Sequence, residues 1–68
     1  MKVVLYTIGC PSCVVLEKKL TAKGIDFEKI DDIEIIKEKG FEGRAFPILE
    51  VNDSEMDYKT AIEWINKI

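Results

Sequence analysis

The segment "GCPSC" holds the only two cysteines of the chain, Cys10 and Cys13, with Pro11 and Ser12 between them. A thiol pair at this spacing has three chemical uses. It can cycle between dithiol and disulfide, supply half of a tetrahedral metal site, or staple the chain. As a staple it is poor, because closing so short a loop removes little unfolded-state entropy. A closed metal site needs about four ligands. The chain offers Cys10, Cys13 and no histidine, so the other ligands would be carboxylates, a small thiol or a second copy. Redox exchange needs nothing beyond the two sulfurs. It is the leading reading, and metal or iron–sulfur binding through the same pair stays open beside it.

The absence of histidine also excludes Ser–His and Cys–His catalysis. Only the thiolate of a cysteine is nucleophilic, and a free thiol has a pKa of about 8.5. Activation must therefore come from backbone amides, a helix field or a lysine. Pro11 suits a first helical position, which puts Cys10 at or near an N-cap, where unpaired N–H groups and the positive dipole end favour an anion. Cys13, one turn later, falls closer to the interior and should hold its proton longer. That asymmetry makes Cys10 the attacking thiol and Cys13 the resolving one. Ser12 either donates a hydrogen bond to the thiolate or is a plain helix-turn residue. A second feature is "AFP", Ala45-Phe46-Pro47, which opens a strand. Proline lacks an N–H and belongs at strand starts and edges. A cis Phe46–Pro47 bond beside Cys10 would leave the Phe46 backbone to pair with an extended ligand by strand addition.

The elements that must position these residues follow from pattern. "KVVLY" (Lys2 to Tyr6) is β-branched and continuously apolar, a strand buried on both faces. A helix follows from Pro11 towards Gly24, with Cys13, Leu16 and Leu20 on its inner face. "DFEKID" (Asp26 to Asp31) alternates as a half-exposed strand. Asp31 or Asp32 caps a helix over "IEIIKEK", closed by Gly40. "PILEV" is a strand, Asn52-Asp53 a turn and "SEM" a return strand. Asp57 caps a last helix whose inner face carries Tyr58, Ala61, Ile62, Ile65 and Ile68, with Trp64 beside it. The order β-α-β-α-β-β-α implies one α/β domain over residues 1–68. Its first unit is parallel, its last two strands form a hairpin, and one four-stranded mixed sheet has helices on both faces.

Composition bounds the function. The net charge is −3 with 34% charged residues and no basic stripe, so no nucleic-acid partner is expected. No apolar run is long enough to span a bilayer. The run Val3 to Ile8 before Cys10 is shorter than the roughly 7–15 residues of a signal core, which argues against a lipidated Cys10. A cytoplasmic monomer is the expectation, and there a close cysteine pair is catalytic or metal-binding more often than structural.

Together, the strand, "CPSC" and helix unit, "RAFP" before a later strand, and the element order resemble the glutaredoxin family of the thioredoxin fold over essentially the whole chain. The resemblance implies a thioredoxin-like α/β fold and a dithiol–disulfide oxidoreductase. Cys10 is then the nucleophile, Cys13 the resolving thiol and Pro47 the cis proline, with Pro11 and Ser12 supporting the site. Arg44, Ala45, Phe46, Pro47, Asp57 and Tyr58 would line a glutathione or substrate site. It implies no required cofactor, glutathione as co-substrate, and disulfide-containing proteins or glutathione mixed disulfides as substrates. This sequence departs from the family pattern at three places. Ser12 stands where Tyr or Phe is common, "YTIG" brings no basic residue before Cys10, and Asp57-Tyr58 replaces a Gly-Gly turn. These departures keep a second reading alongside: a glutaredoxin-like electron donor reduced by thioredoxin reductase and serving, for example, ribonucleotide reductase.

Overall fold

A computed structural model describes residues 2–68. Its elements are β1 (Val3–Tyr6), α1 (Pro11–Ala22), β2 (Glu28–Ile30), α2 (Ile33–Glu38), β3 (Ile48–Val51), β4 (Ser54–Met56) and α3 (Tyr58–Asn66). The sheet order is β2-β1-β3-β4. β1 runs parallel to β2 and antiparallel to β3, with Leu5 opposite Leu49. β3 and β4 form the expected hairpin, turned by Asn52 and Asp53, both at positive φ. Asn and Asp tolerate that conformation better than other non-glycine residues.

The continuous apolar run of β1 is explained by its position. Val3 and Leu5 face one layer, with Leu16 and Leu20 of α1 and Ala61 and Ile65 of α3. Val4 and Tyr6 face the other, with Ile36 of α2 and Phe41. Both faces of the strand are therefore closed off from water, as in parallel-type sheets. Helices α1 and α2 end alike. Gly24 and Gly40 adopt left-handed φ of 69° and 76°. The following amides, of Ile25 and Phe41, turn back to the carbonyls of Leu20 and Ile36 at 3.1 Å. This C-terminal motif brings an apolar residue after the glycine onto the last helical turn. Here it delivers Phe41 onto Tyr6, whose rings meet edge-to-face at 4.9 Å.

One expectation fails at the C-terminus. Ile68 is 56% exposed, because α3 ends at Asn66 and the helical spacing that would carry Ile68 inward stops with it. The expected strand at Asp26 to Asp31 shortens to Glu28–Ile30. Among the described residues no helix is long and apolar enough to cross a membrane.

Candidate functional site

Three segments meet at the site: the link from β1 to α1, the first turn of α1, and the loop entering β3. Cys10 is the N-cap of α1, with extended backbone at φ −72° and ψ 163°, and Pro11 follows in the first turn. Its carbonyl accepts the Val14 amide at 3.1 Å. Its sulfur does what a serine or aspartate oxygen does at other helix starts. It accepts the Cys13 N–H at 3.3 Å, and the Ser12 amide acts on it in the same sense. Of the two expectations for Ser12, the backbone is the part engaged with the sulfur. Cys10 is half-buried and Cys13 is 1% exposed; both are thiols, not bridged.

The loop before β3 closes the site from the other side. Phe46–Pro47 is a cis peptide, and Pro47 is buried. The Cys10 thiol points to the Phe46 carbonyl at 3.8 Å, so the two sequence features identified separately are neighbours in space. Phe46 is half-buried against the Tyr6–Phe41 layer. Arg44 and Ala45 are exposed. The Arg44 guanidinium is already engaged: Nη1 donates to Glu55 Oε1 at 2.6 Å and the group stacks 4.9 Å from the Phe41 ring. Asp57 and Tyr58 serve the start of α3. The Asp57 carboxylate accepts the Thr60 amide at 2.8 Å, and Tyr58 packs on the layer beneath α1 and α3.

The charge on the pair is arranged differently from the simple expectation of an anionic Cys10 and a neutral Cys13. Burial pushes the Cys13 thiol up, but the Cys10 thiol, the Thr7 hydroxyl and the Ile8 and Cys10 backbone pull it down further, and the net shift is downward. Cys10 is shifted up, first by its hydrogen bond with Cys13, then by burial and by the Cys13 charge, against the lowering Cys13 and Ser12 amides. The two sulfurs therefore titrate as an interacting pair. The pair loses its first proton more readily than an ordinary thiol and its second less readily, and the anion belongs to the pair. The direction of attack follows from exposure: Cys10 is the sulfur a disulfide can reach.

Sequence reasoning passed over three residues. Thr7 is a buried polar residue, 2% exposed, and its oxygen accepts the Gly9 amide at 3.1 Å. Ile8 and Ile33 are 56% and 55% exposed. They border two shallow hollows next to the site, one continuing past Gly9 and Val14 to Asp31, the other past Phe46 to Arg44 and Glu42. Ile8 stands outside the strand pattern and just before a glycine, a weak signal of an exposed apolar side chain. Among the described residues no group of three or more His, Cys, Asp or Glu side chains is placed to hold a metal ion.

No family model and no curated protein matches this chain. Among solved structures it is similar to the glutaredoxin-like protein NrdH-redoxin from Escherichia coli, described for its thioredoxin-like activity profile. The TM-score is 0.75 at 22% identity, over 100% of this chain and 95% of that one. The fold is shared with that glutaredoxin-like protein, and it is the thioredoxin-like α/β arrangement that the family resemblance implied.

Proposed function

We propose that this protein is a dithiol–disulfide oxidoreductase that reduces disulfides of other proteins through Cys10 and Cys13. The observation that carries the reading is the N-cap geometry. An accessible sulfur is held by the Cys13 amide at 3.3 Å with a buried thiol one turn behind it. The Cys10 sulfur, as thiolate, attacks one sulfur of the substrate disulfide. A Cys10–substrate disulfide forms and the first substrate thiolate leaves. Cys13 then attacks Cys10, the intramolecular disulfide forms, and the second substrate thiolate leaves. The substrate gains two electrons, the pair loses two, and the departing thiolates take protons from water. A further thiol or dithiol must return the pair to its reduced form.

Two features favour a protein substrate. Among the described residues no group accepts the Phe46 N–H, so that amide is open to an extended segment lying beside Cys10. The exposed Ile8 and Ile33 give such a segment apolar surface to cover. A small anionic thiol finds less, because Arg44 is taken up by Glu55 and Asp57 contributes a further negative charge. Glutathione, as substrate or reductant, remains the second reading, supported by the same Phe46 backbone. A reductase such as thioredoxin reductase is the reductant this charge arrangement favours, and an electron-donor role in a cytoplasmic setting fits it. Among the described residues no third His, Cys, Asp or Glu side chain is grouped with the pair to hold a metal ion, so metal binding through it would draw its remaining ligands from elsewhere.

The test is disulfide reduction with a protein substrate. Cys10→Ser should abolish it. Cys13→Ser should permit the first attack and accumulate a mixed disulfide visible by mass. Retention of full activity by Cys10→Ser would overturn the mechanism. Reducing the oxidised protein separately with glutathione and with thioredoxin reductase identifies the reductant.

A further inference from the structure

Glu50 is a charged side chain within β3, and the mechanism above gives it no role. It lies opposite Val4 on β1 and opposite Glu55 on β4. Two carboxylates directly across a strand pair repel unless each is neutralised. Both are met by cations from the chain that joins α2 to β3. Lys39, the C-cap of α2, reaches Glu50 at 3.4 Å, and Arg44 reaches Glu55. The two pairs differ in burial. The Glu55 side chain is 44% exposed, and its pair holds little. The Glu50 side chain is 12% exposed, and a carboxylate so far withdrawn from water depends on its partner. The Lys39 ammonium also stands 5.8 Å over the Tyr6 ring, a second attraction in the same place.

The Lys39–Glu50 pair joins the two ends of one segment. From Lys39 the chain turns at Gly40 and lays Phe41 on Tyr6. The Arg44 amide donates back to the Phe41 carbonyl at 3.1 Å. The chain then reaches Phe46, whose carbonyl accepts the Cys10 thiol at 3.8 Å, and enters β3, which carries Glu50. We propose that Glu50, through its ion pair with Lys39, is a positioning residue for substrate capture. The pair closes the loop from 39 to 50 and holds the Phe46 backbone where a disulfide-bearing segment can lie beside Cys10. The inference rests on the redox reading of Cys10 and on pairing of an extended substrate with the Phe46 backbone. A loop already fixed in its binding position loses less freedom when a substrate lies on it. The effect is therefore on capture, and the sulfur exchange at Cys10 is left as it is.

Glu50→Gln keeps the shape and removes the charge; Lys39→Met breaks the same pair from its exposed end, and Lys39→Arg keeps it. The first attack is measured in a Cys13→Ser background with two substrates. One is a disulfide-linked peptide of no net charge. The other is hydroxyethyl disulfide, too small to lie along the Phe46 backbone. Glu50→Gln and Lys39→Met should each raise the half-saturating peptide concentration about threefold, the scale of one ion pair, with the maximal rate within about twofold of the parent. Lys39→Arg should match the parent. The double variant should be no worse than either single one, because both remove one contact. The rate with hydroxyethyl disulfide should not change. Exchange of the Arg44 amide, which needs no substrate, should be faster in both pair-breaking variants. If peptide capture is unchanged in both, Glu50 is a structural residue and the proposal falls, whatever happens to thermal stability. Equal slowing of the two substrates would place the effect on Cys10 itself and also overturn it. If the parent protein reduces neither disulfide, the redox reading fails, and the Arg44 exchange still decides whether the pair holds the loop.

Discussion

A thiol does little until it sheds its proton, and a chain with no histidine has to arrange that with neutral donors. Here the donors are amides at the start of α1. The sequence announced the sulfur pair and, through Pro11, its place at a helix start. It did not announce which sulfur carries the charge. That depends on how far Cys13 sinks behind Cys10 and on the backbone that surrounds it, and neither is a spacing rule. The interaction between the two sulfurs leads to a prediction at this scale. The first cause raising Cys10 is its hydrogen bond with Cys13, and the Cys13 charge adds to it. Cys13→Ser removes that charge, leaves a hydroxyl that can only donate to a thiolate, and keeps the amides of residues 12 and 13. The Cys10 thiol should then titrate at lower pH than in the intact pair. Ultraviolet thiolate absorbance followed against pH measures it, and a Cys10 midpoint that stays or rises would show that Cys13 does not hold the Cys10 thiol up.

At the scale of elements, the local punctuation was legible and the tertiary trimming was not. Pro11, Gly24, Asp32, Gly40 and Asp57 each sit at the helix boundary their chemistry suggests. These signals act within a few residues and so survive in a one-dimensional reading. The misplaced Ile68 and the shortened β2 depend on where packing partners run out, which local pattern does not encode. The cap of α3 gives a pH prediction. The Asp57 carboxyl is held below the usual carboxylate range, first by the Thr60 amide, then by the Thr60 side chain, with Lys59 adding to it against slight burial. A pKa lowered on folding means the charged form is favoured in the folded state. Its contribution is complete above the unfolded value, about 3.9, and is lost as the pH falls through the lower folded value. Asp57→Asn can still accept the Thr60 amide but does not titrate. Melting temperature against pH should therefore drop less steeply below about pH 4 in Asp57→Asn than in the parent. Parallel curves would show that the cap charge plays no part.

At the scale of the whole molecule, 68 residues leave little surface that is not near the site, so the charges around Cys10 help set which substrates approach. Topology was readable because a helix between two strands forces a parallel unit and a short turn forces a hairpin. The pairing of Arg44 with Glu55 was not, since it joins a loop to β4 and appears only when β3 and β4 are laid side by side. By resemblance Arg44 is a cation for a substrate carboxylate; in the fold Glu55 occupies it at 2.6 Å. Both side chains are nearly half exposed, so the pair contributes little to stability, and its consequence is electrostatic. Removing the acid should leave the fold intact and return a positive charge to the hollow that Arg44 and Phe46 share with Ile8. Glu55→Gln should then react faster with glutathione, an anionic thiol, by about 2–5-fold at low salt, as expected for one exposed charge at short range. Its rate with the uncharged thiol 2-mercaptoethanol should not move. Raising the ionic strength should erase the gain, and adding Arg44→Ala should abolish it at any salt. Equal acceleration with both thiols would mean that Glu55 governs access to Cys10 and not charge. No acceleration with either would mean that Arg44 does not reach an anion at this site even when released.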